Sequence, residues 1–147
     1  FKPPYGRVTA IDMNRGEHLW MAPLGNGPRN HPLLKGLNLP PLGDGVYGAS
    51  VLVTKTLLFV TVTHLQWNGA PGPPSWAKWG DADAERKLMY VFDKQSGALL
   101  RAIELDGASA AAPMTYLHNG RQFIVVATGG GQTSELVALS VPEPSAR

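Results

Sequence analysis

The side chains best suited to bind a ligand or take part in a reaction lie together in one segment, residues 64–86. The segment holds three indoles and three carboxylates, at Trp67, Trp76, Trp79, Asp81, Asp83 and Glu85. Indoles can stack on a flat cofactor, and carboxylates can bind a cation or accept a proton. The simpler interpretation is that the indoles pack their own loop and that the acidic run is solvated. Of these residues, only Trp79 is predicted to contact a cofactor.

Other chemical signatures in the sequence are incomplete. His31 has no second histidine or carboxylate at metal-ligand spacing and is interpreted as a loop residue. Asp44 is expected to cap the turn 42–45 in which it lies. The triple glycine 129–131 precedes a strand pattern rather than a helix, which argues against a phosphate loop and favours a turn close to other backbone. The chain has no cysteine, and we predict neither a catalytic residue nor a metal ligand in it.

The elements that must position these groups are strands, seen in the sequence as short runs of β-branched residues bounded by Gly, Pro, Asn and Asp. No long segment repeats apolar residues at helical spacing, so an all-β chain is predicted. Strands are expected at 7–13, 18–24, 49–54, 57–63, 87–93, 99–105, 112–117, 121–128 and 135–141. Asn119-Gly120 predicts a two-residue hairpin turn. Two long connections, 25–48 and 64–86, interrupt the strands, and loops of this length are usually functional or disordered.

An internal repeat relates two of the turns. Asp12 and Gly16 recur 81 residues later as Asp93 and Gly97. In each turn the aspartate can accept from backbone N–H groups, and the glycine can adopt the left-handed conformation. Repeated antiparallel units of four strands indicate a β-propeller with about 40–50 residues in each blade. The two long connections account for the greater spacing found here.

The predicted strands group into two, four and three, which makes the chain a partial β-propeller. The whole of 1–147 is expected to be one segment, with blade strands in 7–24, 49–105 and 112–141. Blades cut in this way have unpaired edges, and such edges invite pairing with another chain. The abrupt start without an initiator Met suggests a fragment. The expected partners are therefore the remaining blades of the propeller, or other copies of the chain through the sheet edges.

The first copy of the repeat resembles the tryptophan-docking motif of dehydrogenases that depend on pyrroloquinoline quinone (PQQ), Ala-x-Asp-x-x-Thr-Gly-Lys-x-x-Trp. The matching residues, at the right spacing, are Ala10, Asp12, Gly16 and Trp20. Arg15 and Glu17 depart at the Thr and Lys positions, and the second copy has Arg101 in place of Trp. The phrases 5–12, 112–116 and 119–126 and the glycines 129–131 are similar to the glucose-dehydrogenase-like branch of that family. The similarity covers residues 4–142.

This resemblance implies an eight-bladed propeller with PQQ and a calcium ion over its central channel. In the family, an Asp base takes the hydroxyl proton of an alcohol or sugar substrate while hydride passes to the quinone, and calcium polarises the quinone carbonyl. The catalytic Asp and the calcium ligands of the family lie in earlier blades. The chain is therefore expected to be inactive alone, with weak or no binding of PQQ. A periplasmic location is implied by the resemblance as well.

The blade assignment places four connections on the cofactor face, namely 43–49, 64–86, 106–112 and 129–134. The residues there that are predicted to contact the cofactor are Gly48, Trp79, Gly129, Gly130 and Gly131. Some glucose dehydrogenases carry an Asp before the strand equivalent to 88–93 and a His directly after the glycine pair equivalent to 129–130. This sequence has Arg86 and Gly131 at those places, which leaves the substrate open.

Two alternatives to a dehydrogenase segment remain open. Related repeats occur in a non-catalytic outer-membrane assembly lipoprotein, so the chain could belong to a protein-binding scaffold. It could instead be an independent β-domain whose copies cover each other's edges. Nucleic-acid binding is not expected, because the formal net charge is only +2 and the basic residues are scattered. No apolar stretch reaches the length of about 18 residues that a membrane span requires.

Overall fold

The computed structural model describes residues 2–29, 31–44, 48–62, 87–129 and 134–142. These residues form an all-β structure of nine strands and one short 3-10 turn. The strands are β1 (Arg7–Asp12), β2 (Glu17–Pro23), β3 (Ala49–Val53), β4 (Leu57–Val62), β5 (Leu88–Asp93), β6 (Leu99–Glu104), β7 (Met114–His118), β8 (Arg121–Thr128) and β9 (Glu135–Ser140), and the 3-10 turn is Lys35–Leu37. No helix among the described residues is long and apolar enough to cross a membrane.

The strands predicted from the sequence are present, with ends that differ by no more than two residues. The largest difference is at β7, which begins at Met114 rather than at 112. Pro113 has no N–H and therefore cannot continue the ladder. The chain rejoins β8 further upstream, where Ser109 bridges Thr128 and the Ala110 N–H donates to the Ala127 carbonyl at 2.9 Å.

All strand pairs are antiparallel and form three sheets. The first sheet contains β1 and β2, the second contains β3 to β6 in sequence order, and the third contains β7 to β9. In each sheet the tight turns lie at one end, called here the turn end. The opposite ends of the strands, which the other connections join, are called the loop end. The predicted hairpin at Asn119-Gly120 is confirmed, with both residues at positive φ, 50° and 76°.

The internal repeat extends to a β-bulge that the sequence pattern did not reveal. The pairing of β1 with β2 shifts between Ala10 and Ile11, which leaves Leu19 as the extra residue. The pairing of β5 with β6 shifts at the equivalent place and leaves Leu100 as the extra residue. A bulge bends its strand and redirects the side chains beyond it. In both copies the redirected position, Trp20 or Arg101, directly follows the extra residue.

The second sheet packs between the other two, and alternate residues of its strands serve opposite faces, as the two-residue period of a strand requires. Even-numbered residues of β4 and β5 join the first sheet in a cluster of Ala22, Leu24, Leu58, Val60, Val62, Leu88, Tyr90 and Phe92. Odd-numbered residues join the third sheet in a cluster of Phe59, Met89, Val91, Leu105, Ile124 and Val126. We call these two interfaces the first and second junctions. The predicted fold class, an all-β partial propeller, is confirmed.

Candidate functional site

The two Asp–Gly turns have the same internal geometry. Asp12 Oδ1 accepts from the N–H groups of Asn14 and Arg15 at 2.9 and 3.3 Å. Asp93 Oδ1 accepts from the N–H groups of Gln95 and Ser96 at 3.1 and 2.7 Å. In each turn the aspartate carbonyl also accepts from the closing glycine, Gly16 or Gly97, and both glycines have positive φ. These hydrogen bonds and positive φ angles are the ones that an Asp–Gly turn of this kind requires.

The Asp93 turn contains one further hydrogen bond. The Ser96 hydroxyl donates to Asp93 Oδ1 at 2.7 Å. The hydrogen bonds from the hydroxyl and then the amide of Ser96 lower the pKa of the Asp93 carboxyl below its ordinary value, because they favour the charged form. The turn is therefore held most firmly when this carboxyl is ionised.

Trp20 joins the first sheet to the Asp93 turn of the second sheet. Its indole Nε1–H donates to the Lys94 carbonyl at 3.0 Å. The indole ring covers Gly97 so closely that a Cβ at that position would stand 2.5 Å from the ring atoms Cδ2 and Cε3. Only glycine has both the positive φ and the absent side chain that this contact requires. Trp20 is thus packed across the first junction at the turn end.

Lys94 connects the same contact to the β3–β4 turn. Its backbone N–H donates to the Thr56 carbonyl at 2.9 Å, and its Nζ donates to the Thr54 carbonyl at 3.0 Å. The residue whose carbonyl accepts the indole N–H of Trp20 is therefore held by two hydrogen bonds to the β3–β4 turn. One side chain of the first sheet is thus connected to two turns of the second sheet, the Asp93 turn directly and the β3–β4 turn through Lys94.

Few of the predicted cofactor contacts fall on described residues. Gly48 directly precedes β3 at the loop end, and Gly129 follows β8 at the loop end of the third sheet. The Gly129 N–H donates to the Ala108 carbonyl at 2.9 Å, and a Cβ at Gly107 would stand 2.7 Å from the Gly129 nitrogen. Gly129 thus lies where two backbone segments approach closely. The other predicted residues lie outside the described residues, namely Trp67, Trp76, Trp79, Asp81, Asp83, Glu85, Arg86, Gly130 and Gly131.

The connection between β2 and β3 is closed at its base by residues 42–44. Three backbone hydrogen bonds join its two arms: Leu42 N–H to Asn26 O at 2.9 Å, Gly43 N–H to Gly25 O at 3.2 Å and Asp44 N–H to Leu24 O at 2.7 Å. The side chain of Asp44 is buried, and its Oδ1 accepts from the Gly27 N–H at 2.7 Å. The Asp44 carboxylate therefore binds the opposite arm of the connection, a contact that the sequence did not predict.

Sequence reasoning missed this role because the partner lies 17 residues away along the chain. The available signal was the spacing of glycines on both arms, at Gly25, Gly27 and Gly43, all of which have positive φ. His31 behaves as the loop residue that was predicted, since its Nδ1 accepts from the Leu33 N–H at 3.2 Å. Within the described parts of the chain, no group of three or more His, Asp or Glu residues could hold a metal ion.

An apolar cleft of about 230 Å³ opens between the first and second sheets. Its walls come from the end of β2, from the base of the β2–β3 connection and from β5 and β6, and its aromatic residues are Tyr90 and Phe92. The cleft contains none of the predicted cofactor contacts. It runs along the first junction from the β2–β3 connection to Gly97 at the turn end.

Comparison with known proteins agrees with the all-β, antiparallel architecture of the chain. Residues 1–124 match the family described as PQQ, glucose/ethanol/alcohol dehydrogenase, β-propeller domain. This match covers more than half of the chain, and the chain belongs to that family. No solved structure matches the chain.

Individual relatives are dehydrogenases of bacteria. The glycerol dehydrogenase large subunit of Gluconobacter oxydans (strain 621H) is 29% identical over 97% of this chain and 17% of its own length. A probable quinate dehydrogenase (quinone) of Xanthomonas campestris pv. juglandis is 25% identical over 96% and 16%. Quinoprotein glucose dehydrogenase A of Acinetobacter calcoaceticus is 24% identical over 88% and 14%. The chain therefore spans about a sixth of the length of these relatives.

Proposed function

We propose that this chain is one segment, 1–147, of a PQQ-dependent dehydrogenase that oxidises a hydroxyl group of an alcohol or sugar. The observation that carries the proposal is the family match over residues 1–124. The names of the relatives support the substrate class, since glycerol, quinate and glucose all carry several hydroxyl groups. The chain alone is proposed to be inactive.

Bound PQQ supplies the two-electron acceptor for hydride transfer from the substrate, with calcium as a Lewis acid. The described residues of this chain do not fit a calcium site, because they present no cluster of acidic or histidine ligands. Gly48 and Gly129 lie at the loop end and have no side chain, so they let backbone approach a flat ligand. Trp79, Gly130 and Gly131 are proposed as further contacts. The base that accepts the hydroxyl proton is proposed to lie outside this chain.

Trp20 is proposed to be a docking residue that aligns adjacent blades. The contact of its indole with Gly97 and Lys94 supports this role, because it joins two sheets at the end opposite the cofactor loops. The matched position in the second copy, Arg101, is exposed. The docking contact is thus proposed for the first junction only.

The remaining blades of the propeller are proposed to cover the outer faces of this segment. On the third sheet, the side chains of Met114 and Leu136 are 55% and 77% exposed. They lie on the face of that sheet that points away from the second sheet. Without those blades, we propose that copies of the chain associate through this face and through the free edge of β9. A periplasmic location is proposed from the family and would be tested by cell fractionation.

The decisive experiment is a titration of the polypeptide that carries this chain with PQQ and Ca²⁺, followed by quinone absorbance and tryptophan fluorescence. We expect saturable binding that requires Ca²⁺, and dye-linked oxidation of glycerol, glucose or quinate. Gly48→Val should weaken binding of PQQ, whereas Gly36→Val, in the exposed 3-10 turn, should leave it unchanged. Absence of PQQ binding would contradict the proposal and favour the protein-binding scaffold.

The same titration on residues 1–147 alone tests the share of the site that this segment carries. We expect no saturable binding of PQQ, together with a solution mass above that of the 15.7 kDa monomer. Tight binding by the isolated chain would show that it rebuilds a cofactor face by itself. A strictly monomeric chain would contradict the proposed association.

A further inference from the structure

Asparagine followed by glycine occurs twice among the described residues, at Asn26-Gly27 and at Asn119-Gly120. Asn68-Gly69 is a further pair of this kind and lies outside the described residues. In such a pair the glycine nitrogen can attack the side-chain amide carbon of the asparagine, because glycine has no Cβ to hinder the approach and rotates freely. The two described pairs therefore share one latent reaction, and their surroundings decide whether it proceeds.

Asn119-Gly120 is open to solvent. Both residues are exposed, and a Cβ at Gly120 would meet no described atom within 4 Å. Within the described ranges, no hydrogen bond engages the Gly120 N–H. The Asn119 Nδ2 lies 3.3 Å from Nε2 of His118, which is equally exposed, so water can replace this contact. The attacking nitrogen can therefore move, and the amide that it attacks is accessible.

Asn26-Gly27 is enclosed by the base of the β2–β3 connection. Gly27 is buried, and its N–H donates to Asp44 Oδ1 at 2.7 Å. A Cβ at Gly27 would stand 2.6 Å from the Gly43 carbonyl oxygen, so there is no room on this side of the backbone. The Asn26 side chain is held as well, since its Oδ1 accepts from Arg29 Nη1 at 3.4 Å. Attack by the Gly27 nitrogen thus requires the connection to open first.

We propose that Asn119 is a site of spontaneous deamidation, and that the fold protects Asn26 from the same reaction. The Gly120 nitrogen bonds to Cγ of Asn119, and the bond from Cγ to Nδ2 breaks. Nδ2 leaves as ammonia with the proton that the Gly120 nitrogen gives up. Water then opens the resulting cyclic imide at either ring carbonyl, which yields aspartate or isoaspartate. The reaction consumes water, releases ammonia and needs neither PQQ nor a substrate, so it does not depend on the proposed function.

Isoaspartate in place of Asn119 would disrupt the hairpin between β7 and β8. The two-residue turn depends on positive φ at Asn119 and Gly120, 50° and 76°, and it sets the register of the two strands. Isoaspartate runs the main chain through the side-chain carbon and lengthens the turn, so this geometry is lost. Every residue of β7 is exposed, whereas β8 buries Ile124 and Val126 at the second junction. We therefore expect β7 to detach while β8 stays in place.

The first test follows both sites by peptide mass spectrometry while the folded polypeptide that carries this chain is incubated at mildly alkaline pH. Asn119 should convert to aspartate and isoaspartate at least about tenfold faster than Asn26, the factor expected when one buried hydrogen bond must open first. The same polypeptide unfolded in urea is the matched control, in which both sites should convert at similar rates. Equal rates in the folded polypeptide, or no conversion of Asn119, would overturn the proposal. A difference that persists in urea would overturn the protection of Asn26 by the fold.

The second test separates the added charge from the altered backbone. Asn119→Asp introduces the carboxylate on an ordinary backbone, and Asp-Gly also fits this type of turn. Hydrogen exchange of the β7 amides in this variant should stay within about threefold of the unaltered polypeptide. In the isoaspartate form isolated from the first test, exchange of the same amides should be at least about tenfold faster. Unchanged exchange in the isoaspartate form would overturn the expected detachment of β7.

Discussion

The two junctions of this chain are built on the same strands but are held together differently. Both use alternate residues of β4 and β5, so their cores follow from one repeated pattern. The first junction adds the Trp20 contact with Lys94 and Gly97. The second junction has Arg101 at the matched position, and that side chain is exposed.

The carbonyl equivalent to that of Lys94 has a different donor at the second junction. Asp93 pairs with Leu57 in the second sheet, and Ser140 pairs with Phe123 in the third. The residue after Ser140, Val141, therefore corresponds to Lys94. The Val141 carbonyl accepts from Arg121 Nη2 of its own sheet at 2.9 Å. The guanidinium of Arg121 also lies 5.4 Å from the centre of the Phe123 ring.

This difference separates two sources of stability. Apolar burial is common to both junctions and depends only on the alternation of side chains. The hydrogen bond between sheets is an addition at one junction, and at the other the equivalent carbonyl is satisfied within a single sheet. Apolar packing between sheets and hydrogen bonding between sheets are therefore independent features of this fold.

The largest expected effects come from the two faces of β5. Phe92 and Met89 are both fully buried, Phe92 at the first junction and Met89 at the second. Phe92→Ala should lower the free energy of unfolding by about 3–5 kcal/mol and Met89→Ala by about 2–5 kcal/mol, measured by urea denaturation. A large loss in one variant with none in the other would break the claim that both cores contribute.

A smaller effect is expected from the glycines that close the two repeated turns. Gly97→Ala places a Cβ at positive φ against the Trp20 ring, whereas a Cβ at Gly16 would meet no described atom within 4 Å. Gly16→Ala should cost about 1–2 kcal/mol for the backbone conformation alone. Gly97→Ala should cost about 1–3 kcal/mol more from the overlap. Equal losses in the two variants would show that the indole contact adds nothing.

The indole hydrogen bond is expected to contribute less again. Trp20→Phe keeps an aromatic ring but removes the Nε1–H that donates to Lys94, and should lower the free energy of unfolding by about 1 kcal/mol. Arg101→Gln, at the matched exposed position, should change it by less than about 0.5 kcal/mol. Urea denaturation midpoints of the two variants measure both changes. A larger loss of stability in Arg101→Gln than in Trp20→Phe would contradict the claim that the indole hydrogen bond distinguishes the first junction.

The smallest effect should be the acid dependence of the Asp93 turn. The pKa of the Asp93 carboxyl is lowered in the folded chain by Ser96. Its contribution is therefore complete above the ordinary value of 3.8 and is lost as the pH falls through the lower folded value. Asp93→Asn and Ser96→Ala should both lose less stability than the unaltered chain on acidification through this range, measured by urea midpoints. A stability loss on acidification that neither substitution reduces would exclude this carboxyl as its source.

Local sequence patterns were sufficient for the strands, the turns and the family. The Asp–Gly turns and the Asn119-Gly120 hairpin depend on neighbouring residues, and their geometry matches what those residue types require. The bulges at Leu19 and Leu100 were not visible in the sequence, because a two-residue period looks the same on either side of one extra residue. The predicted contacts with PQQ stay predictions.

The sequence by itself determined the all-β fold, the order of strands and the repeated turn, since each depends on residues close together along the chain. Only the tertiary structure showed that the Asp44 carboxylate accepts from the Gly27 N–H and that the Trp20 indole donates to the Lys94 carbonyl. Those contacts join residues far apart in sequence, and their partners are backbone groups that nearly every residue carries. A backbone N–H or carbonyl leaves no mark in a sequence, so folding alone decides which of them a buried side chain meets.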